Sequence, residues 1–178
     1  APRLFSTLQG RGYPCIYGNW EVSGLARLPA ALAAWVATWP GHCASGDVVF
    51  CHATPDLPPM AATTAGAVAH IGRGVRWGQL FPRLHTEETA RWLALAQLET
   101  TGQVAAFHGH THVQHVWRYG AAGWRGFRGP AEFSLAPQAD DPAPRFLIGV
   151  GSAGAPQDGP HPRYALYDDS QAAVTLIA

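Results

Sequence analysis

The chain reads as a sheet-based α/β fold, with helices outside the sheets and an antiparallel second half. Three observations predict this. Asp47 to His52 (DVVFCH) and Gln103 to His108 (QVAAFH) are short apolar runs bounded by turn signals, the pattern of buried strands. Between them, Thr86 to Thr101 carries the end signals of a helix. After His108, strand patterns follow one another with no helical segment between them.

Taken in order, Pro2 to Leu8 reads as the end of a helix, stopped at Gly10 and Gly12. Pro14 to Tyr17 is a short apolar run of the buried-strand type ending at Gly18. Pro29 to Trp39 places Leu32, Trp35, Val36 and Trp39 at three- and four-residue spacing, a helix face closed by Pro40-Gly41. Asp47 to His52 enters from the Ser45-Gly46 turn. Thr54 to Pro82, rich in Pro, Gly and Ala, predicts loops with a short helix, and this region is expected to shape substrate choice. Thr86 is the expected cap of the next helix, Glu87 and Glu88 suit its positive end, and Gly102 stops it. Val113 to Tyr119 and Glu132 to Leu135 read as antiparallel strands, followed by Phe146 to Val150, Tyr164 to Asp168 and Ala173 to Ile177.

The 178 residues fit one domain spanning residues 1–178, long enough for a substantial core. Apolar residues make up 47% and charged residues 13%, yet no stretch approaches the roughly 20 apolar residues of a membrane-spanning helix. Twelve basic residues balance twelve acidic ones, and the arginines are scattered, which argues against a nucleic-acid partner. Three cysteines (Cys15, Cys43, Cys51) form no C-x-x-C pair, and an odd count favours a reducing, cytoplasmic compartment. The tryptophans, Trp35, Trp39 and Trp92 included, read as core fillers.

The chemistry concentrates in the histidines. Four of the nine, His108, His110, His112 and His115, fall between residues 108 and 115. Gly109-His110-Thr111-His112 follows a buried strand, and in an extended segment residues i and i+2 project to the same side. Two imidazoles so placed can serve two metals roughly 3.5–4 Å apart. A histidine pair in a β-turn also fits H-x-H taken alone. Gly18-Asn19 follows one apolar run and His52 ends another, so Asn19, His52, His110 and His112 are expected at one sheet edge.

G-N, then His at a strand end, then G-H-T-H resembles the calcineurin-like metallophosphoesterase superfamily. The tail adds to this: Gly151-Ser152-Ala153-Gly154-Ala155-Pro156-Gln157-Asp158-Gly159, then Arg163-Tyr164-Ala165-Leu166-Tyr167-Asp168. It is similar to the ending of the bacterial branch that holds small phosphodiesterases and diadenosine-tetraphosphatase-like enzymes. The resemblance spans about Gly12 to Asp168. It implies two packed mixed β-sheets flanked by helices, a four-layer αββα sandwich. It also implies a hydrolase of phosphomonoesters or phosphodiesters using two divalent metal ions (Mn, Fe, Zn, Ni or Co). By the same resemblance, Asn19, His52 and His110 bind one metal and His112 the other, with Glu21 behind Asn19. His108 is expected to be buried behind the ligands, while His42, His70, His85, His115 and His161 read as plain surface residues.

Two departures from the family pattern stand out. The family's D-x-H and G-D strand ends are not found before Gly18, so the N-terminal βα units are expected to be missing. The isolated chain is then expected to be inactive or nearly so, and to self-associate through uncovered sheet edges. Gly46-Asp47 lies after G-N in the order and at a strand start, where Asp47 reads as a turn residue. Trp20 stands where many relatives carry a histidine that assists the leaving group, and an indole N–H cannot supply a proton near neutral pH. The expected partner is a small phosphorylated substrate. Two other readings stay open: a non-catalytic interaction module that keeps the fold, and a mononuclear zinc site using His52 and His110.

Overall fold

The structure, a computed structural model, describes residues 2–178. The elements run α1 (Pro2–Gly10), α2 (Asn19–Gly24), α3 (Ala30–Ala37), β1 (His42–Ser45), β2 (Val48–Cys51), α4 (Thr64–Gly72), α5 (Trp77–Leu80) and α6 (Glu88–Thr101). Strands follow: β3 (Ala105–His108), β4 (Gln114–Gly120), β5 (Gly123–Arg128), β6 (Ala131–Ser134), β7 (Arg145–Val150), β8 (Tyr164–Asp168) and β9 (Ala173–Ile177).

Six strands form one mixed sheet in the order β1-β2-β3-β7-β4-β5, and three form a second in the order β6-β9-β8. In the large sheet β2, β3 and β7 are parallel neighbours, flanked by antiparallel β1 on one side and by β4 and β5 on the other. Alternation along the central strands divides the core. Val48, Ala105, Phe107, Phe146 and Ile148 face the second sheet, meeting Leu135, Val174 and Leu176 there. Val49, Ala106 and Leu147 point the other way, onto Leu84 and the α6 residues Ala90, Ala94 and Leu98. Two packed sheets flanked by helices result, as the resemblance implies, the larger mixed and the smaller antiparallel. A third cluster joins Tyr17, Val22, Val36, Trp39 and Phe81 among the N-terminal helices.

Several expectations need correcting. Pro14 to Tyr17 is not a strand: the Tyr17 N–H donates to Pro40 O at 3.0 Å, and the Tyr17 hydroxyl to Ala61 O at 2.5 Å. Its ring is buried among helices, so helical packing satisfies this segment in place of a sheet neighbour. The sequence reading does not include β1 and β5; β5 (GWRGFR) exposes Arg125, Gly126 and Arg128 and lacks an apolar run. Thr86 does not cap α6. Its hydroxyl turns back to Arg83 O, and Glu87 takes the cap position, its carboxylate accepting from the Arg83 N–H at 2.9 Å. Gly102 ends α6 in the left-handed conformation as expected, φ 72°. The loops after Thr54 hold two helices, α4 and α5, where one was expected.

Trp92 is 43% exposed and no core filler; it meets Tyr119 and Trp124 edge-on at the surface. His70 and His115 are buried, and His85 is half-buried, so these three are not surface residues. His42 and His161 are exposed, as expected. No described helix is long and apolar enough to cross a membrane.

Candidate metal centre

Parallel strands β2 and β3 end together, which carries their following residues to one edge of the sheet. His52 follows β2 and Gly109-His110-Thr111-His112 follows β3; the Gly109 N–H donates to His52 O at 2.9 Å and ties the two exits together. The start of α2 lies against them. A Cβ on Gly18 would sit 2.6 Å from His52 Nδ1, so only glycine lets the backbone pass this imidazole. One turn on, Glu21 Oε2 accepts from the Gly18 N–H at 2.8 Å and fixes the entry to the helix.

This entry places Asn19. Its Oδ1 lies 2.7 Å from His52 Nε2 and 3.4 Å from His110 Nδ1. The two imidazole centroids are 5.2 Å apart, and Phe81 stands 5.9 Å from one and 5.8 Å from the other.

His110 and His112 are not carried by an extended strand. Both have φ 56°, in the left-handed region, so a tight turn sets their directions in place of strand alternation. The return loop after β7 grips this turn. His112 Nδ1 donates to Ala155 O at 2.8 Å, which leaves Nε2 with its lone pair free to bind a cation. The Gln157 N–H donates to His112 O at 2.9 Å, and the Gln114 N–H donates to Asp158 Oδ2 at 2.8 Å. Arg163 locks Asp158 with an ion pair at 3.4 Å and a bond to its backbone carbonyl at 3.0 Å.

Electrostatics keep the imidazoles neutral. Burial, reinforced by the neighbouring histidines, pulls His52 down to about 4. Burial and then the Arg83 charge lower His110. His108 is fully buried on the α6 side of the sheet near His85 and His115, and burial lowers it to about 4. Neutral imidazole is the metal-binding form.

Two imidazole nitrogens and an amide oxygen converge here. Donor atoms that share an ion at about 2.1 Å lie about 3.0–3.4 Å apart in octahedral or tetrahedral arrangements. The observed 3.4 Å lies at the edge of that range and 2.7 Å below it, while the donor types, imidazole nitrogen and amide oxygen, suit a divalent cation. Among the described residues no group of three or more His, Cys, Asp or Glu side chains is gathered, and no carboxylate hydrogen-bonds to His52, His110 or His112.

No family model matches the chain, and no curated protein matches it. Among solved structures, a metallophosphoesterase from Sphaerobacter thermophilus superposes with a TM-score of 0.54 at 16% identity. The overlap covers 85% of this chain and 52% of the other, so the chain spans about half the length of that relative. The fold is that of a metallophosphoesterase.

Within the metallophosphoesterase fold, the structure brings Asn19, His52 and His110 together and sets His112 on the same turn. Glu21 acts on the backbone that carries Asn19, and His108 lies beneath the turn. Trp20 is 69% exposed in the first turn of α2 and fills no core position. Sequence reading missed Phe81, which sits in an aperiodic Pro- and Gly-rich stretch with no pattern to mark it. It also missed the grip of Ala155 and Asp158 on the histidine turn, although both lie in the Gly151 to Gly159 segment that carries the resemblance.

Proposed function

We propose that the chain is the histidine-bearing part of a phosphohydrolase that cleaves phosphomonoester or phosphodiester bonds with two divalent ions, drawn from Mn, Fe, Zn, Ni or Co. The observation that supports it is the convergence of His52 Nε2 and His110 Nδ1 on Asn19 Oδ1 at the strand-end edge of this fold. Asn19, His52 and His110 would hold one ion, and His112 Nε2 its neighbour. When bound, such ions supply Lewis acidity and let water act as a nucleophile near neutral pH. The chain's part is orientation. Gly18 and Glu21 fix Asn19, the Phe81 ring packs against His110, and Ala155 O selects the His112 tautomer. Burial holds the imidazoles unprotonated.

Mn²⁺ or Zn²⁺ titration of the full chain by calorimetry tests this. Saturable binding lost in His52→Ala and in His110→Ala is expected, with little or no hydrolysis by this chain alone; chelator-sensitive hydrolysis of an aryl phosphodiester is expected of a form that also carries the D-x-H and G-D strand ends. The second reading, a binding module with this fold, is favoured by the lack of a carboxylate bonded to the histidines. It predicts no hydrolysis at any metal concentration.

In a form that carries those strand ends, Trp20 offers no proton to a departing alcohol, so cleavage should depend steeply on how readily the leaving group departs unprotonated. General acid catalysis contributes about 10²–10⁴-fold. Trp20→His should therefore narrow the gap in kcat/KM between a matched aryl and alkyl ester, chiefly by raising the alkyl value. An unchanged ratio rejects the missing-acid account.

A further inference from the structure

We infer that a cavity beside the histidine pair binds an aliphatic organic cation, the amine-bearing alcohol part of a phosphate ester. The link to phosphate rests on the hydrolase reading above; occupancy of the cavity by the cation does not.

The cavity holds about 520 Å³, within the size range of small-ligand sites. Three features place it next to the histidines. Thr54, two residues beyond His52, lines it. Leu80 and Pro82 line it as well, while Phe81 between them faces His52 and His110. Glu87 is part of its wall, and the Glu87 charge is felt at His110.

Its lining selects the ligand. Asp56 and Glu87 both contribute to the wall, and none of its described residues is Lys or Arg. The nearby cation, Arg83, is not part of the wall and acts instead on His85 and His110. A second anionic group in the cavity would meet two carboxylates, whereas an ammonium would be attracted by both. None of the described lining residues carries a phenyl, phenol or indole ring, so a flat nucleobase finds no stacking platform. Leu80, Val75 and Leu93 give the apolar surface that alkyl groups need.

A polar group also awaits a partner. His70 lines the cavity, is 8% exposed, and its Nδ1 has no hydrogen-bond partner. An unpartnered buried polar atom is costly in a folded protein, and a ligand hydroxyl or ammonium within reach would relieve it.

Choline chloride titrated into the ¹⁵N-labelled full chain tests the proposal, with succinate and inorganic phosphate as matched probes. Saturable shifts at Thr54, Gln79 and Thr89 with choline, and none there with succinate or phosphate, are expected. Asp56→Asn removes a carboxylate that has no side-chain hydrogen bond or ion pair among the described contacts, and should weaken choline by about two- to fivefold. Leu93→Arg, on the exposed rim, should weaken it by a similar factor without touching the core. Absence of saturable choline shifts, equal binding of succinate, or indifference to both variants overturns the proposal. Choline binding without saturable Mn²⁺ or Zn²⁺ binding at the histidines would remove the hydrolase reading and keep the cation site; metal binding without choline binding would do the reverse.

Discussion

Gly18 is the residue whose replacement should most directly disturb the metal-binding edge. A Cβ there would enter the space of His52 Nδ1 at 2.6 Å, and the imidazole would have to leave Asn19 Oδ1 to make room. Gly18→Ala should cost about 1–3 kcal/mol, the usual range for overpacking. It should also weaken metal binding more than it lowers stability, which denaturant titration alongside metal calorimetry can separate. The buried histidines give the second residue-scale expectation. Burial, ahead of the Arg128, His85 and Arg91 charges, holds His115 at about 4, and burial also holds His108 at about 4. The unfolded values lie near 6.5. Between the two values the unfolded chain carries more protons, so stability is complete above pH 6.5 and declines as pH falls toward 4. Each histidine contributes a slope of about 1.4 kcal/mol per pH unit in that window. Urea midpoints between pH 7.5 and 4.5 should follow this slope, and His115→Gln should reduce it; a flat profile would refute the assignment.

At the scale of elements, the return loop after β7 and the histidine turn act as one unit. Asp158 accepts the Gln114 N–H and is itself held by Arg163. Asp158→Asn should destabilise the chain by about 1–3 kcal/mol, the cost of weakening a charged, part-buried hydrogen bond. It should also shift the His112 ¹⁵N resonances as Ala155 O moves off Nδ1; unmoved resonances would show that the loop does not orient His112. Element by element, the sequence was most legible where one interaction dominated. DVVFCH and QVAAFH are buried on both faces by their neighbours, so an apolar run sufficed to find β2 and β3. The β8 and β9 ranges also came out as read. Pro14 to Tyr17 misled because an apolar run looks the same whether helices or strands cover it. β5 was invisible because its partner β4, not its own composition, makes it a strand. At the site, the strand-end logic brought His52 and His110 to one edge, yet the left-handed backbone at His110 and His112 leaves no trace in residue type.

For the whole molecule, the small sheet presents an uncovered border. β8 pairs with β9 on one side only, and its outward residues Tyr164 and Leu166 are 46% and 56% exposed. Beside it a groove of about 370 Å³ opens between Phe50, Phe107 and Val150 of the large sheet and Ala165 and Tyr167 of β8. An apolar strand edge of this kind recruits other strands. The chain should therefore self-associate as its concentration rises, and Leu166→Lys should shift sedimentation toward the monomer. Unchanged sedimentation of the variant would place the contact elsewhere.

Asn19 meets a histidine 33 residues away and another 91 residues away. No fragment of the chain holds the set, and none of these contacts can form before the parallel strands β2 and β3 have found each other. Pairings this distant in sequence are late and slow in folding. Ion capture is thereby thermodynamically coupled to completion of the native topology: a bound cation is a ligand of the folded state alone. At a hundredfold excess over its dissociation constant it would add about 2.7 kcal/mol to the unfolding free energy. On the proposed reading, the melting temperature of the chain would itself report the metal, before any substrate is known.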